Sequence, residues 1–335
     1  MKKALTPTIY FGLLVAMLSA ASTASATALP ISQLVVFGDS LSDNGNAAIA
    51  LGGTLPGNYA PNAFTDGPAT TPATSGPFGL WIDQFAGKLG VADPQPFLAG
   101  GTNFAVASAL AGHNPLFTLP PTVVPFTSDQ VAIYLLSHTP SVSTLFTFWA
   151  GANDIDAGRN PVTAADNIEA NIKTLAAAGA TRFVWLNLPP LGATPDGLAS
   201  GQSALLNAAS GAFDVEWAAD ISALRALGID VSGVDVAGLF AQIASNPSGF
   251  GFTDITDSAW CGPGGLATCA ANNPNHFLYW DGEHPTTAAD SLVATLAFND
   301  VTATPEPGAF SLSLIGFCSL AFSSARLRRI KFRAN

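Results

Sequence analysis

Apolar residues fall along this chain in two alternating patterns. Short unbroken apolar runs stop at glycine, proline or a polar turn, and between them lie longer stretches with apolar residues three and four apart. Gln33–Phe37, Leu145–Trp149 and Arg182–Leu188 are runs of the first kind and predict strands buried on both faces. Phe78–Leu89 carries Leu80, Trp81, Phe85 and Leu89 at helical spacing. Ala164–Ala177 reads as a second helix with Thr163 as its cap, and Ala204–Leu227 as a long third one carrying Phe213 and Trp217. Strands separated by helices of this length predict an α/β fold, a parallel sheet covered on both faces. No linker-like break or internal repeat interrupts residues 30–300, so the middle of the chain reads as one domain. Residues 52–77 and 246–276 are rich in glycine, proline and asparagine. Long loops in a compact domain are usually lids or binding walls.

The two ends follow neither pattern. Lys2 and Lys3 precede an apolar run from Tyr10 to Ala20, and Ala24-Ser25-Ala26 offers a cleavage site beyond it. Those three parts make residues 1–26 a secretory signal peptide. At the far end Pro305-Glu306-Pro307 precedes an apolar stretch, residues 308–325, and then Arg326, Arg328, Arg329, Lys331 and Arg333. The three parts of residues 305–335 resemble the PEP-CTERM sorting signal of Gram-negative bacteria. That resemblance implies transient membrane attachment through residues 308–325, cleavage by a sorting protease, and delivery to the envelope surface or the medium. An ordinary tail anchor fits the same pattern.

Setting the ends aside sharpens the charge. Residues 27–304 hold 5 basic and 22 acidic side chains, a formal net charge of −17. Such a surface repels nucleic acid and anionic headgroups, which excludes nucleic-acid binding. Cys261 and Cys269 share one Gly-, Asn- and Pro-rich stretch, and in an oxidising compartment a disulfide between them is expected. A zinc pair is the alternative, without a C-x-x-C spacing or a second pair to support it.

Three motifs carry chemistry. The first strand runs directly into Phe37-Gly38-Asp39-Ser40-Leu41-Ser42-Asp43-Asn44-Gly45-Asn46. This places Ser40 at the carboxyl end of a parallel strand, where open α/β sheets bind ligands. Gly38 allows a tight turn, and a helix following it would aim free N–H groups at the site. A calcium loop of Asp39, Asp43 and Gly45 is the competing reading, without EF-hand spacing or a later acidic ligand. Downstream, Asp281 and His284 stand three apart in Tyr279-Trp280-Asp281-Gly282-Glu283-His284-Pro285-Thr286, before a helix that Thr286 or Thr287 caps. On one turn of chain the carboxylate can hold the imidazole and leave its other nitrogen for a serine proton. The third motif, Ala150-Gly151-Ala152-Asn153-Asp154, again follows a buried strand. Asn153 there could donate to an oxyanion, cap a helix, or both. His113 and His138 sit among Pro, Asn and Thr, in loops or at a helix end, and read as solvated; His276 is near the site in sequence but has no partner at useful spacing. Trp260, Phe277, Tyr279 and Trp280 flank the Asp281–His284 turn, as walls of an acyl pocket or as core.

Phe37–Asn46, Gly151-x-Asn153-Asp154 and Asp281-x-x-His284 resemble three sequence blocks of the GDSL, or SGNH, hydrolases, in family order over residues 32 to 298. The resemblance implies a three-layer α/β/α sandwich with a flavodoxin-like parallel sheet of about five strands. It implies a serine esterase, lipase or acylhydrolase working through an acyl-serine, with Ser40, Asp281 and His284 as the triad and Asp39 and Gly151 shaping the site. The oxyanion hole would take the N–H of Ser40, the side chain of Asn153 and an N–H from a glycine after an Asn-aromatic-Ala run. Here Asn103-Phe104-Ala105-Val106-Ala107-Ser108 puts Ser108 in that glycine's place. If the position needs a positive φ, the serine is strained. No metal or cofactor is implied. The substrate would be a small-molecule, lipid or acylated-glycan ester. A carbohydrate O-deacetylase and an idle surface-binding protein on the same fold are the competing readings.

Overall fold

The computed structural model describes residues 30–303 apart from 54, 56–58, 60–61, 67–78, 120–122 and 261–272. The segments read as signal peptide and sorting signal, and Cys261 and Cys269, lie outside the described residues. Among the described residues no helix is long and apolar enough to cross a membrane.

The three apolar runs are strands: β1 (Gln33–Gly38), β2 (Thr144–Trp149) and β3 (Arg182–Leu186). With β4 (Asp230–Val234) they form one parallel sheet in the order β1-β2-β3-β4. Every residue of β2 is buried, which is why its sequence shows no polar alternation. The expected sheet of about five strands is therefore four full strands. Its fifth position, along the free edge of β1, is held by residues 102–106. There Val36 N donates to Thr102 O at 3.0 Å, Phe104 N to Val36 O at 2.7 Å, and Val106 N to Gly38 O at 3.2 Å. The Ala105 N–H, which faces away from β1, is taken by Asn103 Oδ1 at 3.0 Å, a local side-chain bond on the outer edge of the segment. This segment follows β1 in the chain, so the order of the five positions is flavodoxin-like.

The helices, in chain order, are α1 (Asn46–Ala50), α2 (Trp81–Leu89), α3 (Thr127–Ser137), α4 (Ala152–Asp156), α5 (Pro161–Ala177), α6 (Pro195–Ala199), α7 (Ser203–Ala226), α8 (Val236–Ser245) and α9 (Thr287–Thr302). One layer is made by α3, α5 and α7, the other by α2 packed on α9. The cap of α5 is Asn160 rather than Thr163: its side chain accepts from Val162 N at 2.9 Å, and Pro161, without an N–H to lose, takes the first helical position. Between the layers the core is aromatic. Phe37 stacks on Phe148 at 5.0 Å and on Phe104 at 5.7 Å, and Trp81, Trp149 and Trp185 are fully buried.

The stretch 246–276 is not wholly a loop. Within it β5 (Asp254–Ser258) pairs in parallel with β6 (Phe277–Tyr279). Beyond the strands, Ala259 N reaches Tyr279 O at 3.0 Å and Trp260 N reaches Trp280 O at 2.8 Å. This ribbon delivers the chain into the Asp281–His284 turn.

Candidate active site

The turn after β1 is built by polar side chains. A Cβ on Gly38 would lie 2.3 Å from Trp149 O, so only glycine lets β1 and β2 end this close. Gln130 on α3 brackets the residue, accepting from Gly38 N at 2.9 Å and donating to Gly38 O at 2.8 Å. The Asp43 carboxylate accepts from the N–H groups of Gly45, Asn46, Ala47 and, across the turn, Ala107. Asn46 donates to Asn103 O at 2.8 Å and Ala105 O at 2.9 Å, and Asn103 donates to Ser42 O at 2.7 Å. The nucleophile turn is thus stitched to residues 103–107. The helix expected to aim its N–H groups at the site does not do so: α1 starts at Asn46, and Asp43 takes its first two. Four backbone N–H groups thus occupy the Asp43 carboxylate.

On the other side of the crevice, Trp280 N donates to His284 O at 2.8 Å and closes the turn that brings Asp281 under the imidazole. Asp281 Oδ1 accepts from Glu283 N at 2.8 Å and His284 N at 2.7 Å. Its Oδ2 lies 2.7 Å from His284 Nδ1, and His284 Nε2 lies 2.8 Å from Ser40 Oγ. A carboxylate only accepts, so Nδ1 carries the imidazole proton and Nε2 is free to accept from the Ser40 hydroxyl. Both side chains are buried, each residue 5% exposed. Burial alone would push His284 down, but Asp281, Glu283 and Asp39 outweigh it and hold the imidazole up. Burial likewise favours a neutral Asp281, yet the His284 charge and three hydrogen bonds hold that carboxyl down. Thr286 caps α9 by accepting from Ala289 N, as expected of it.

The oxyanion candidates sit at the end of β2 and in the edge segment. Gly151 has φ 118°, and a Cβ there would meet the Phe213 ring at 2.6 Å. Asn153 Nδ2 donates to Ala109 O at 3.2 Å, which orients the amide and leaves its second N–H unused. Ser108, exposed, has φ 63°: the position does need the left-handed region, and the serine adopts it. Among the described residues the N–H groups of Ser40 and Ser108 donate to no protein acceptor. Asp39 is 1% exposed and supports the turn by accepting from Leu41 N at 3.0 Å. Its other oxygen has no hydrogen-bond partner, and burial pushes its pKa up to about 7.

Two cavities meet at Glu283 and Leu191. The smaller, about 30 Å³, is lined by Ser40, Asn153, Trp149, Phe240, Tyr279 and His284 among others. The larger, about 520 Å³, is lined by Ile155, Leu205 and Leu206 and by Asp156, Asp196 and Glu283 among others. Of the flanking aromatics, Tyr279 lines the small cavity, Phe277 is core, and Trp260 stacks on Trp280 at 6.5 Å.

Some site residues escape the motifs. Tyr59 Oη donates to Asp281 Oδ2 at 2.7 Å, and Phe64 stacks on the His284 ring at 5.1 Å. Both come from the 52–77 stretch, whose composition suggested a lid or a binding wall. Gln130 carries no signal beyond its place in a helix. His113 is not merely solvated, because Nδ1 pairs with the buried Asp129, and His138 stacks on Tyr134 at 5.0 Å.

A serine, a histidine and an aspartate in one hydrogen-bonded line, beside free N–H donors at the carboxyl ends of a parallel sheet, define a site able to carry out acyl transfer on an ester. Residues 34–297 match the model of the GDSL-like lipase/acylhydrolase family, and the chain belongs to that family. The thermolabile hemolysin of Vibrio parahaemolyticus is 29% identical over 279 residues, covering 79% of this chain and 62% of that protein. A GDSL esterase/lipase of Arabidopsis thaliana (At1g29660) is 29% identical over 137 residues, 36% of this chain and 37% of that protein. The chain thus spans less than two thirds of the length of these curated relatives. Among solved structures, Est24, a carbohydrate acetylesterase from Sinorhizobium meliloti, has a TM-score of 0.44 at 14% identity, covering 81% of this chain and 99% of that one.

Proposed function

We propose that this chain is an exported serine esterase that removes small acyl groups from a larger, polar alcohol. The observation that carries the chemistry is the 2.8 Å contact between His284 Nε2 and Ser40 Oγ, backed by Asp281 on the far nitrogen. Ser40 attacks the ester carbonyl as His284 takes its proton, and Asp281 steadies the imidazolium. The N–H groups of Ser40 and Ser108 and the free N–H of Asn153 take the developing oxyanion. His284 returns the proton to the leaving alcohol, and water, activated the same way, releases the acid and frees Ser40.

The two cavities support the division of the substrate. The cavity beside Ser40, about 30 Å³, is small against the 520 Å³ cleft that adjoins it, which favours a short acyl group over a long alkyl chain. The 520 Å³ cleft takes the alcohol. Its carboxylates and the Thr194, Ser200 and Gln202 side chains suit hydroxyl-rich groups, which favours an acetylated polyol or glycan over a lipid. Export, and retention at the envelope through residues 305–335, rest on the patterns at the two ends.

Hydrolysis of p-nitrophenyl esters from acetate to palmitate, beside Ser40→Ala, tests this reading. Turnover is expected to be greatest on acetate, to fall with each lengthening, and to vanish in Ser40→Ala. An optimum on long chains makes the protein a lipase and refutes the small-acyl assignment; unchanged activity in Ser40→Ala refutes the nucleophile.

A further inference from the structure

Asp281 accepts more hydrogen bonds than a histidine partner requires. Oδ1 takes two backbone N–H groups, and Oδ2 takes both His284 Nδ1 at 2.7 Å and the Tyr59 hydroxyl at 2.7 Å. The fourth donor comes from 222 residues away in the chain. Its ring is fixed by three edge contacts: Phe64 at 5.0 Å, Trp260 at 5.3 Å and His284 itself at 6.2 Å. Phe64 in turn stacks on the imidazole. Tyr59 and Phe64 therefore cover the dyad, and neither is among the residues that line the two cavities.

We propose that Tyr59 is a positioning residue of the site, whose hydroxyl fixes the Asp281 carboxylate and tempers the proton affinity that Asp281 confers on His284. A donor on a carboxylate oxygen draws charge from it, so the carboxylate pulls less strongly on the imidazolium proton. The imidazole is thereby kept basic enough to accept from Ser40, yet willing to give the proton up to the leaving alcohol. Tyr59 is suited to this because it does not ionise in the working range: burial and the facing Asp281 push its own pKa up. The other charges facing the dyad are Asp39, Glu283 and Asp196, with Asp156 behind Glu283. None of them bonds to Tyr59, so replacing that residue leaves their influence in place.

The inference rests on the Ser40–His284–Asp281 reading, and its first test needs no substrate. With histidine labelled in ¹⁵N, the full chain has four imidazoles to follow by NMR. In Tyr59→Phe, which keeps the ring and loses only the donor, the His284 pKa is expected to rise by about half a unit to one unit. The acid limb of kcat/KM should move up with it, and at neutral pH kcat should fall several-fold with KM unchanged. Tyr59→Ala, which also uncovers the dyad, should lose more. Coincident His284 titrations in wild type and Tyr59→Phe, within about 0.1 unit, overturn the proposal. So does a Tyr59→Phe protein in which only KM or only thermal stability changes. If the wild type hydrolyses no ester and the NMR shift is nonetheless seen, the positioning role stands and the esterase reading falls.

Discussion

Ser108 pays a conformational cost that glycine would not. A φ of 63° puts its Cβ against its own backbone, about 1 kcal/mol or somewhat more for a residue other than glycine. Its side chain is exposed and makes no hydrogen bond among the described residues. Its only useful group is then the N–H, which glycine shares. Ser108→Gly is expected to raise Tm by about 1–3 °C, the relief of strain being partly offset by a freer unfolded chain. The same variant should leave kcat/KM within about threefold of wild type. A fall in Tm on calorimetry, or a large loss of kcat, would mean that the hydroxyl has a role not evident in its contacts. Ser108 also marks what was legible at this scale. Ser40, Asn153, Asp281 and His284 were readable because each lies in a local motif, and local geometry alone brings Asp281 to His284. Tyr59, Phe64 and Gln130 were not, since their contacts join segments distant in the chain, and a tyrosine in a glycine-rich stretch looks like any other.

Among the elements, strands buried on both faces announced themselves as apolar runs, whereas β4, Asp-Val-Ser-Gly-Val, is too short and polar to do so. The edge segment escaped as a strand because it is held as much by Asn103 and Asn46 as by its ladder. The packing of α5 on α7 holds a feature no periodicity discloses. Asp166 on α5 and Glu216 and Asp220 on α7 bring carboxylate oxygens within 4.8 Å of one another. Glu169 is nearby, and its bond to Lys173, at 2.6 Å, engages the local cation. Asp220 is 6% exposed with one oxygen unpartnered. Burial first, then Glu169, Glu216 and Asp166, push its pKa from 3.8 up to about 7 against the pull of Lys173. Between those two values the native state keeps a proton that the unfolded chain releases. Stability is therefore lost as pH rises through this window, and the full penalty is present above it. Asp220→Asn, which cannot ionise, should be more stable than wild type at pH 8 by about 1–2 kcal/mol, roughly 3–5 °C in Tm. Near pH 4 the two should melt nearly together. Equal Tm differences at both pH values would show that packing rather than charge governs the site.

The whole molecule is a strong polyanion, and its active-site cleft shares that sign. The full chain carries a formal net charge of −11, and residues 27–304 one of −17; Asp156, Asp196 and Glu283 line the cleft with Arg159 as the one base among the lining residues. Field lines focus in such a crevice, so the potential an arriving ester meets is negative well before contact. At about 10 mM salt that field reaches roughly 30 Å, and at 0.1 M about 10 Å. A cationic ester should therefore be gathered at low salt and an anionic one turned away, while a neutral one should be indifferent. Acetylthiocholine, its neutral carbon isostere and a carboxylate-bearing acetate ester make the comparison at equal acyl size. Between about 10 and 200 mM salt, kcat/KM is expected to fall about three- to tenfold for the cation, rise for the anion, and hold for the neutral ester. A fall of the same size for all three would locate the salt effect in the fold. No change for any of them would mean that encounter does not limit the reaction, so that the acidic surface serves solubility rather than choice of substrate.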